Sequence, residues 1–335
     1  MGTLEVRSSL NPEGPDTSDC PPIDMNNLWS IVLAGGEGSR ISPFIQRWLG
    51  RHRPKQYCTF VGTRSLLQHT LDRAARLTPG ERTLIVVDRT HVPYARPQLP
   101  ADSAARLIPQ PCNRDTAAGI FLPLTYVHRN DPKATVVIYP SDQFVYPENR
   151  FVAAIREAVA EVECLSCRLI LLGVAPDEPE LEYGWIQPGP ALDGSNGRIR
   201  SVGSFVEKPD HSTATAAMQQ GALWNTFVLV GRVEKLWQLG WSFFPKMMTL
   251  FYRLESDIDS EKETETIGSI YTNMPALNFS SDLLQNAADH VGVMKLDDVL
   301  WSDWGRPERI ISSLRKIDRQ PAFSMEPLRQ LGASA

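Results

Sequence analysis

The sequence predicts an α/β domain whose mostly parallel mixed sheet carries helices on both faces. Two observations support that expectation. Short apolar runs alternate along the chain with segments whose apolar residues recur at helical spacing, and such alternation marks βαβ units covered on both sides. The first run, Trp29-Ser30-Ile31-Val32-Leu33, passes straight into a glycine-rich turn, Ala34-Gly35-Gly36-Glu37-Gly38-Ser39-Arg40. In sheets of this kind ligands sit beyond the carboxyl ends of the strands.

Residues 1–27 hold Pro12, Pro15, Pro21 and Pro22 among Ser, Asp and Asn with little to bury, and are expected to form a disordered extension. Strands are then expected over 30–33, 83–87, 105–108, 135–139, 168–174, 201–206, 227–230 and 291–296. Two segments between them have clear helical spacing. In 65–77, Leu66, Leu67, Thr70, Leu71 and Ala74 share a face; in 150–163, Phe151, Ala154, Ile155, Ala158 and Val162 do so. The acidic stretch 255–266 reads as a loop with a short helix following. No internal repeat is found. The domain is expected to span 28–311, with 312–335 as a short tail.

A chain of 335 residues can bury a substantial core. Its hydrophobic fraction of 42% and charged fraction of 22% are those of an ordinary soluble protein. No apolar run is long enough to span a bilayer, and the N-terminal residues lack the apolar core of a secretory signal. A formal charge of -5 argues against a general nucleic-acid binder. The expectation is a cytoplasmic protein with neither a membrane nor a nucleic-acid partner. Arg47, Arg51, His52, Arg53 and Lys55 form a local basic exception, read as either a solvated face or an anion attractor beside the glycine turn. Five cysteines without framework spacing predict reduced thiols, and the lone pair Cys164 and Cys167 cannot complete a four-ligand zinc site.

The glycine turn is the strongest functional signal. Gly35, Gly36 and Gly38 let the backbone approach a bulky anion and aim N–H groups at it, while Arg40 and Lys55, in Pro54-Lys55-Gln56, add two cations. The dinucleotide fingerprint fails, because Ile41 stands where its third glycine belongs; a nicotinamide oxidoreductase is thereby disfavoured. No Gly-Lys-Ser/Thr run of a nucleotide hydrolase occurs. Asp142 follows the strand 135–139 and Asp303 lies between Trp301 and Trp304. Magnesium commonly takes one or two carboxylates plus substrate phosphates, but an aspartate at a strand end more often serves as a cap or a turn former, and only the further motifs raise these two to metal ligands.

Further motifs identify a resemblance. Leu33-Ala34-Gly35-Gly36-Glu37-Gly38-Ser39-Arg40 and Pro54-Lys55-Gln56 resemble the signature of nucleotidyltransferases that make nucleotide-sugars. Gln110-Pro111-Cys112-Asn113-Arg114-Asp115-Thr116-Ala117 is similar to the E-P-x-x-R-N-T-A run of mannose-1-phosphate guanylyltransferases. Pro140-Ser141-Asp142-Gln143-Phe144, Glu182-Tyr183-Gly184-Trp185-Ile186, Phe205-Val206-Glu207-Lys208-Pro209, Trp224-Asn225-Thr226 and Trp301-Ser302-Asp303-Trp304-Gly305 resemble further motifs of that family, in its order.

The resemblance implies a Rossmann-like, GT-A-like fold of the nucleotide-diphospho-sugar transferases. It implies transfer of a nucleotidyl group from a nucleoside triphosphate, GTP by the closest motifs, to a sugar 1-phosphate such as mannose 1-phosphate, with Mg2+ as cofactor. Leu33, Ala34, Gly35, Gly36, Gly38, Arg40, Lys55, Gln110, Asp115, Thr116 and Asp142 would bind nucleotide. Gly184, Glu207, Lys208 and Asn225 would bind the sugar phosphate, Asp142 and Asp303 the metal. Arg40, Lys55, Asp142 and Lys208 would serve catalysis, and a homodimer is allowed.

Four departures from the family pattern stand out. The Arg40–Lys55 connection is long, implying an enlarged loop. Gln110 and Asp115 replace glutamate and asparagine. Thr226-Phe227 replaces Ser-Gly after Asn225. The β-helical or cupin-like domain of many relatives is not in the sequence. These leave open the same chemistry with UTP or dTTP and glucose 1-phosphate, or a non-catalytic regulatory homologue that binds nucleotide-sugar.

Overall fold

The computed structural model describes residues 27–165, 168–193, 195 and 197–324. The expected disordered extension lies, but for residue 27, outside them, as do Cys20, Cys167 and the tail from 325.

In chain order the elements are β1 (Leu28–Leu33), α1 (Ser42–Leu49), α2 (Leu66–Ala74), β2 (Thr83–Asp88), α3 (Val92–Ala95), β3 (Arg106–Gln110), α4 (Asp115–Asn130), β4 (Thr135–Pro140), β5 (Phe144–Tyr146) and α5 (Glu148–Cys164). They continue with β6 (Leu169–Val174), β7 (Gly184–Ala191), β8 (Ile199–Glu207), α6 (His211–Gln219), β9 (Leu223–Arg232), α7 (Val233–Phe243), α8 (Pro245–Leu254), α9 (Glu263–Asn273), β10 (Val291–Lys295), β11 (Leu300–Ser302) and α10 (Pro307–Lys316).

Nine strands form one sheet in the order β3-β2-β1-β4-β9-β6-β10-β8-β7, with β7 also touching β9; β5 and β11 form a separate antiparallel ribbon. The first four strands are mutually parallel. Beyond β4 the pattern changes: β9 runs antiparallel to β4, β6 and β7, and β8 antiparallel to β7 and β10, while β10 is parallel to β6. The expectation of a mostly parallel sheet is therefore corrected to an evenly mixed one. Parallel neighbours need long crossovers, whereas β7 and β8 turn back on each other within a few residues, Leu192 N–H donating to the Ile199 carbonyl at 2.9 Å.

The chain builds β2 and β3 on one side of β1 and then places β4 on the other. Such a reversal leaves a crevice at the carboxyl ends of the two strands. Leu33 and Pro140 pair there, and Ser141 N–H donates to the Leu33 carbonyl at 3.0 Å. The glycine turn and Asp142 thus leave the sheet side by side.

Helices cover both faces. One face packs under α4, α7, α8 and α9, with Phe121, Trp237, Met248 and Tyr271 buried; the other packs under α2, α5 and α6, with Leu67, Phe151, Ile155 and Ala214 buried. A third, smaller cluster explains the long Arg40–Lys55 connection. It is not an open loop but helix α1, whose Phe44 and Ile45 pack with Trp304, Ile310, Leu314 and Phe323. Helix α10 runs through residue 311, where the domain was expected to end, and Phe323 beyond it is buried.

Cys58 and Cys112 are free thiols, as expected, but Cys164 is disulfide-bonded, with its partner outside the described residues. Among the described residues no helix is long and apolar enough to cross a membrane.

Candidate active site

The glycine turn is held from behind by the residues after Lys55. Gln56 Nε2 donates to the carbonyls of Ala34 (2.9 Å) and Gly36 (2.8 Å), and the Tyr57 hydroxyl donates to Ala34 as well. With those carbonyls engaged inward, the turn is fixed rather than free to relax. Gly38 adopts φ 61°, and a Cβ there would lie 2.7 Å from Lys55 Cβ. Turn and lysine are therefore in direct contact, and only glycine fits between them.

Lys55 is buried, 3% exposed, and its ammonium reaches two acidic residues distant in the chain. Nζ lies 2.8 Å from Asp142 Oδ2 and donates to the Asp303 carbonyl. Arg40 Nη2 meets Asp303 Oδ2 at 2.7 Å. The two cations and two carboxylates named from the sequence thus converge on one point of the crevice. Asp303 also accepts from the Tyr183 hydroxyl and from the Gly305 N–H at 3.0 Å. Burial alone would push its carboxyl upward, but Lys55, the Tyr183 hydroxyl and Arg40 outweigh it and hold the carboxyl below its ordinary value. Asp142 differs: its side chain is 39% exposed and faces the cleft.

Behind Asp303 stands a support that the sequence did not reveal. Arg309 on α10 donates to the Tyr183 hydroxyl and to Glu180, lies 4.9 Å over the Tyr183 ring and 5.5 Å over the Trp224 ring, and comes within 3.8 Å of Asp303. Burial and the neighbouring Asp303 charge raise the Tyr183 hydroxyl well above its usual pKa, so it remains a donor. Tyr183 was visible within its motif; nothing in the α10 sequence marked Arg309.

A cleft of about 380 Å³ joins these groups to the end of β7, β8 and β9. Its lining includes Arg40, Lys55, Asp115, Thr116, Asp142 and Asp303, and also Gly184, Glu207, Lys208 and Asn225. Gly184 pairs with Glu207 across β7–β8, and a Cβ on it would sit 2.8 Å from Glu207 Oε2. Burial raises the Glu207 carboxyl, with Asp115 adding to it; Lys208 and Ser280 only partly offset this. Asp115 takes φ 63°, which asparagine and aspartate tolerate best among residues with a Cβ. Its exchange for asparagine therefore preserves the backbone. Its carboxylate accepts from Asn278 Nδ2 at 3.1 Å, and Thr116 Oγ1 from Phe279 N–H at 2.8 Å, so a loop absent from the sequence motifs closes this end.

Not every sequence candidate faces the cleft. Leu33, Ala34, Gly35, Gly36 and Gly38 are not in its lining, although Gly38 abuts Lys55. Gln110 is buried behind the turn, its Nε2 close against Gly35 and its Oε1 accepting from the Tyr271 hydroxyl at 2.8 Å. Of the basic cluster, Lys55 alone lines the cleft, while Arg47, Arg51 and His52 are exposed. Among the described residues no group of three or more His, Cys, Asp or Glu is placed to hold a metal ion. Two carboxylates around one point still suit magnesium, since substrate phosphates commonly complete its shell.

The family model described as nucleotidyl transferase matches residues 29–320. The chain belongs to that family. Mannose-1-phosphate guanylyltransferases of Escherichia coli and Klebsiella pneumoniae are 28% and 29% identical to it over 282 residues, or 83% of this chain. The chain spans 58% of the length of each of these relatives. A solved structure described as mannose-1-phosphate geranyltransferase from Thermus thermophilus is 27% identical with a TM-score of 0.73, covering 85% of this chain and 79% of that one. This nucleotidyl transferase chain thus has the fold of the nucleotide-diphospho-sugar transferases, with its cleft at the carboxyl ends of β1 and β4.

Proposed function

We propose that this chain transfers a nucleotidyl group from GTP to mannose 1-phosphate, giving a nucleotide-sugar and pyrophosphate. The observation that carries the proposal is the Lys55 ammonium, held between the Asp142 carboxylate and the Asp303 main-chain carbonyl, with Arg40 on the Asp303 carboxylate. The names of the relatives support the choice of base and sugar, and the parallel quartet β3-β2-β1-β4 supports a Rossmann-like, GT-A-like reading of the nucleotide half.

In this reading the sugar-phosphate oxygen attacks the α-phosphorus; a new P–O bond forms there as the bond to the β-phosphate breaks. No protein nucleophile is needed, because such transfers depend on positioning and charge stabilisation. Asp115 and Thr116 bind the nucleotide beside the glycine turn, which Gln110 braces from behind, and Arg40 and Lys55 stabilise charge on the α-phosphate and the leaving group. Lys208, exposed at the cleft with φ 47°, fixes the attacking phosphate; Gly184, Glu207 and Asn225 seat the sugar. Asp142 and Asp303 would hold Mg2+, which when bound offsets phosphate charge and orients the two substrates.

A second reading rests on Phe227. It lines the cleft where relatives of the resembled family carry glycine, and its φ of 59° is one that a bulky residue rarely accepts. A ring at this point favours the same chemistry with a smaller or less hydroxylated sugar. Incubating the protein with magnesium, each nucleoside triphosphate and each hexose 1-phosphate, and measuring pyrophosphate, decides between the readings. No pyrophosphate with any pair would overturn both.

A further inference from the structure

A cavity of about 890 Å³ is separate from the cleft. It lies between α2, the β5 strand and the chain after α10, and is lined by Arg64, His69, Arg73, Arg76 and Arg319, by the carboxylates Glu148 and Asp318, and by an apolar wall from Phe144 to Tyr146. Its cations outnumber their partners. Arg64 is neutralised by Asp72 at 2.6 Å. Arg73, Arg76 and His69 all converge on one carboxylate, Glu148, at 3.2, 2.9 and 3.4 Å. Arg319 has no side-chain partner among the described residues, and the buried Arg73 leaves its Nε without one. Tyr146 projects 43% exposed beside them.

Arginine forks match phosphate oxygens in bidentate pairs, and a volume of this size suits a small organic ligand. We propose that this cavity is a second binding site, for a phosphate monoester on a planar, apolar body: the dianion held by Arg76 and Arg319, the body laid on Tyr146.

The site also adjoins the cleft. Gln143 lines both cavities, donates to the Thr226 carbonyl at 2.6 Å and accepts from Trp301 Nε1 at 2.8 Å. Phe144 stacks on Trp304 with ring centroids 4.3 Å apart. The wall of the second site is thus built from the neighbours of Asp142 and Asp303, and an occupant bears on both.

Calorimetric titration with phenyl phosphate and with inorganic phosphate tests the proposal, using the full chain. Binding is measured in the parent, in Lys208→Ala to weaken the cleft, in Arg76→Gln/Arg319→Gln, and in Tyr146→Ala, with melting curves to verify folding. The expected result is phenyl phosphate binding that survives Lys208→Ala and weakens at least tenfold in the double arginine variant. Tyr146→Ala should weaken phenyl phosphate but leave inorganic phosphate unchanged, which a general loss of structure would not do. Undiminished binding in the arginine variant, or no binding by the parent at about millimolar concentration, overturns the proposal. Pyrophosphate release is not part of the readout, so failure of the transferase reading would leave this test intact.

Discussion

Replacing Gly38 by alanine tests whether the glycine turn positions the lysine. Two costs arise at this residue and can be separated. The first is backbone: at φ 61° a Cβ costs about 1–2 kcal/mol. The second is the collision, since the added methyl would lie 2.7 Å from Lys55 Cβ and 3.3 Å from Lys55 N. Carbon atoms settle near 3.5–4.0 Å, so Lys55 must retreat by roughly 1 Å. Gly50 supplies the control. It has φ 68° but nothing within 4 Å of its added Cβ, so Gly50→Ala carries the strain without the collision. Both variants should melt a few degrees lower, at about 2–4 °C per kcal/mol for a domain somewhat smaller than this one. Their turnover should differ: a displacement near 1 Å in a positioning group can cost on the order of 10²-fold. With pyrophosphate release as the assay, Gly50→Ala should retain the parent rate and Gly38→Ala should lose most of it. Equal rates in the two variants would refute the reasoning, because the turn would then tolerate a shifted Lys55.

The two aspartates should behave differently. Asp142→Asn is expected to abolish pyrophosphate release and to lower the melting temperature less than Asp303→Asn, because Asp142 pairs with the buried Lys55 from a part-exposed position. Asp303→Asn should abolish it and also cost about 3–5 kcal/mol in denaturant titration, because it removes the negative charge that faces both Arg40 and the buried Lys55. Glu207→Gln gives a pH signature. Burial raises this carboxyl above 4.5 in the folded protein, so its contribution to stability is fully present below pH 4.5 and is lost as pH rises through the folded value. The variant should melt higher than the parent near neutrality, and the difference should close below pH 4.5; a difference that persists in acid contradicts the assignment. Phe227→Gly relieves about 1–2 kcal/mol of backbone strain but loses the edge contact with Phe279, where centroids lie 6.2 Å apart. Stability should change little, while KM falls for hexose 1-phosphates that the parent excludes; an unchanged sugar preference removes Phe227 from specificity.

The parallel half of the sheet was legible because β1, β2 and β4 are continuous apolar runs, and the glycine turn because its residues sit together in the chain. Elements that escaped did so for physical reasons. Helix α4 is buried from Ala117 to Val127 on every side, with Pro123 inside it, so no polar face remains to reveal a helical period. Strand β7 contains Pro188 and Pro190, residues that speak against a strand, and it is tolerated because β9 pairs only with Trp185 and Ile186, so the proline-bearing part of β7 has β8 alone beside it. The reversal at β9 was invisible because strand direction is fixed by connections, and an apolar run carries no mark of its direction.

The same distinction governs the cleft. Arg40, Lys55, Asp142 and Asp303 could each be named from local motifs, and Lys55 and Arg40 help to hold the buried Asp303 ionised, yet the support behind it lies elsewhere in the chain. Tyr183 at the start of β7 donates to it, Arg309 on α10 braces Tyr183, and the buried Glu180 anchors Arg309 and Arg306. A carboxylate taken from water is stable only when each lone pair finds a donor or a cation, so the demand for such a network follows from the burial of Asp303. Which residues meet that demand is decided by the packing of α10 against β11, and α10 is held there by the cluster of Phe44, Trp304, Ile310 and Phe323. Helix α1, inserted between Arg40 and Lys55, therefore both returns the lysine to the turn and supports the helix that carries Arg309.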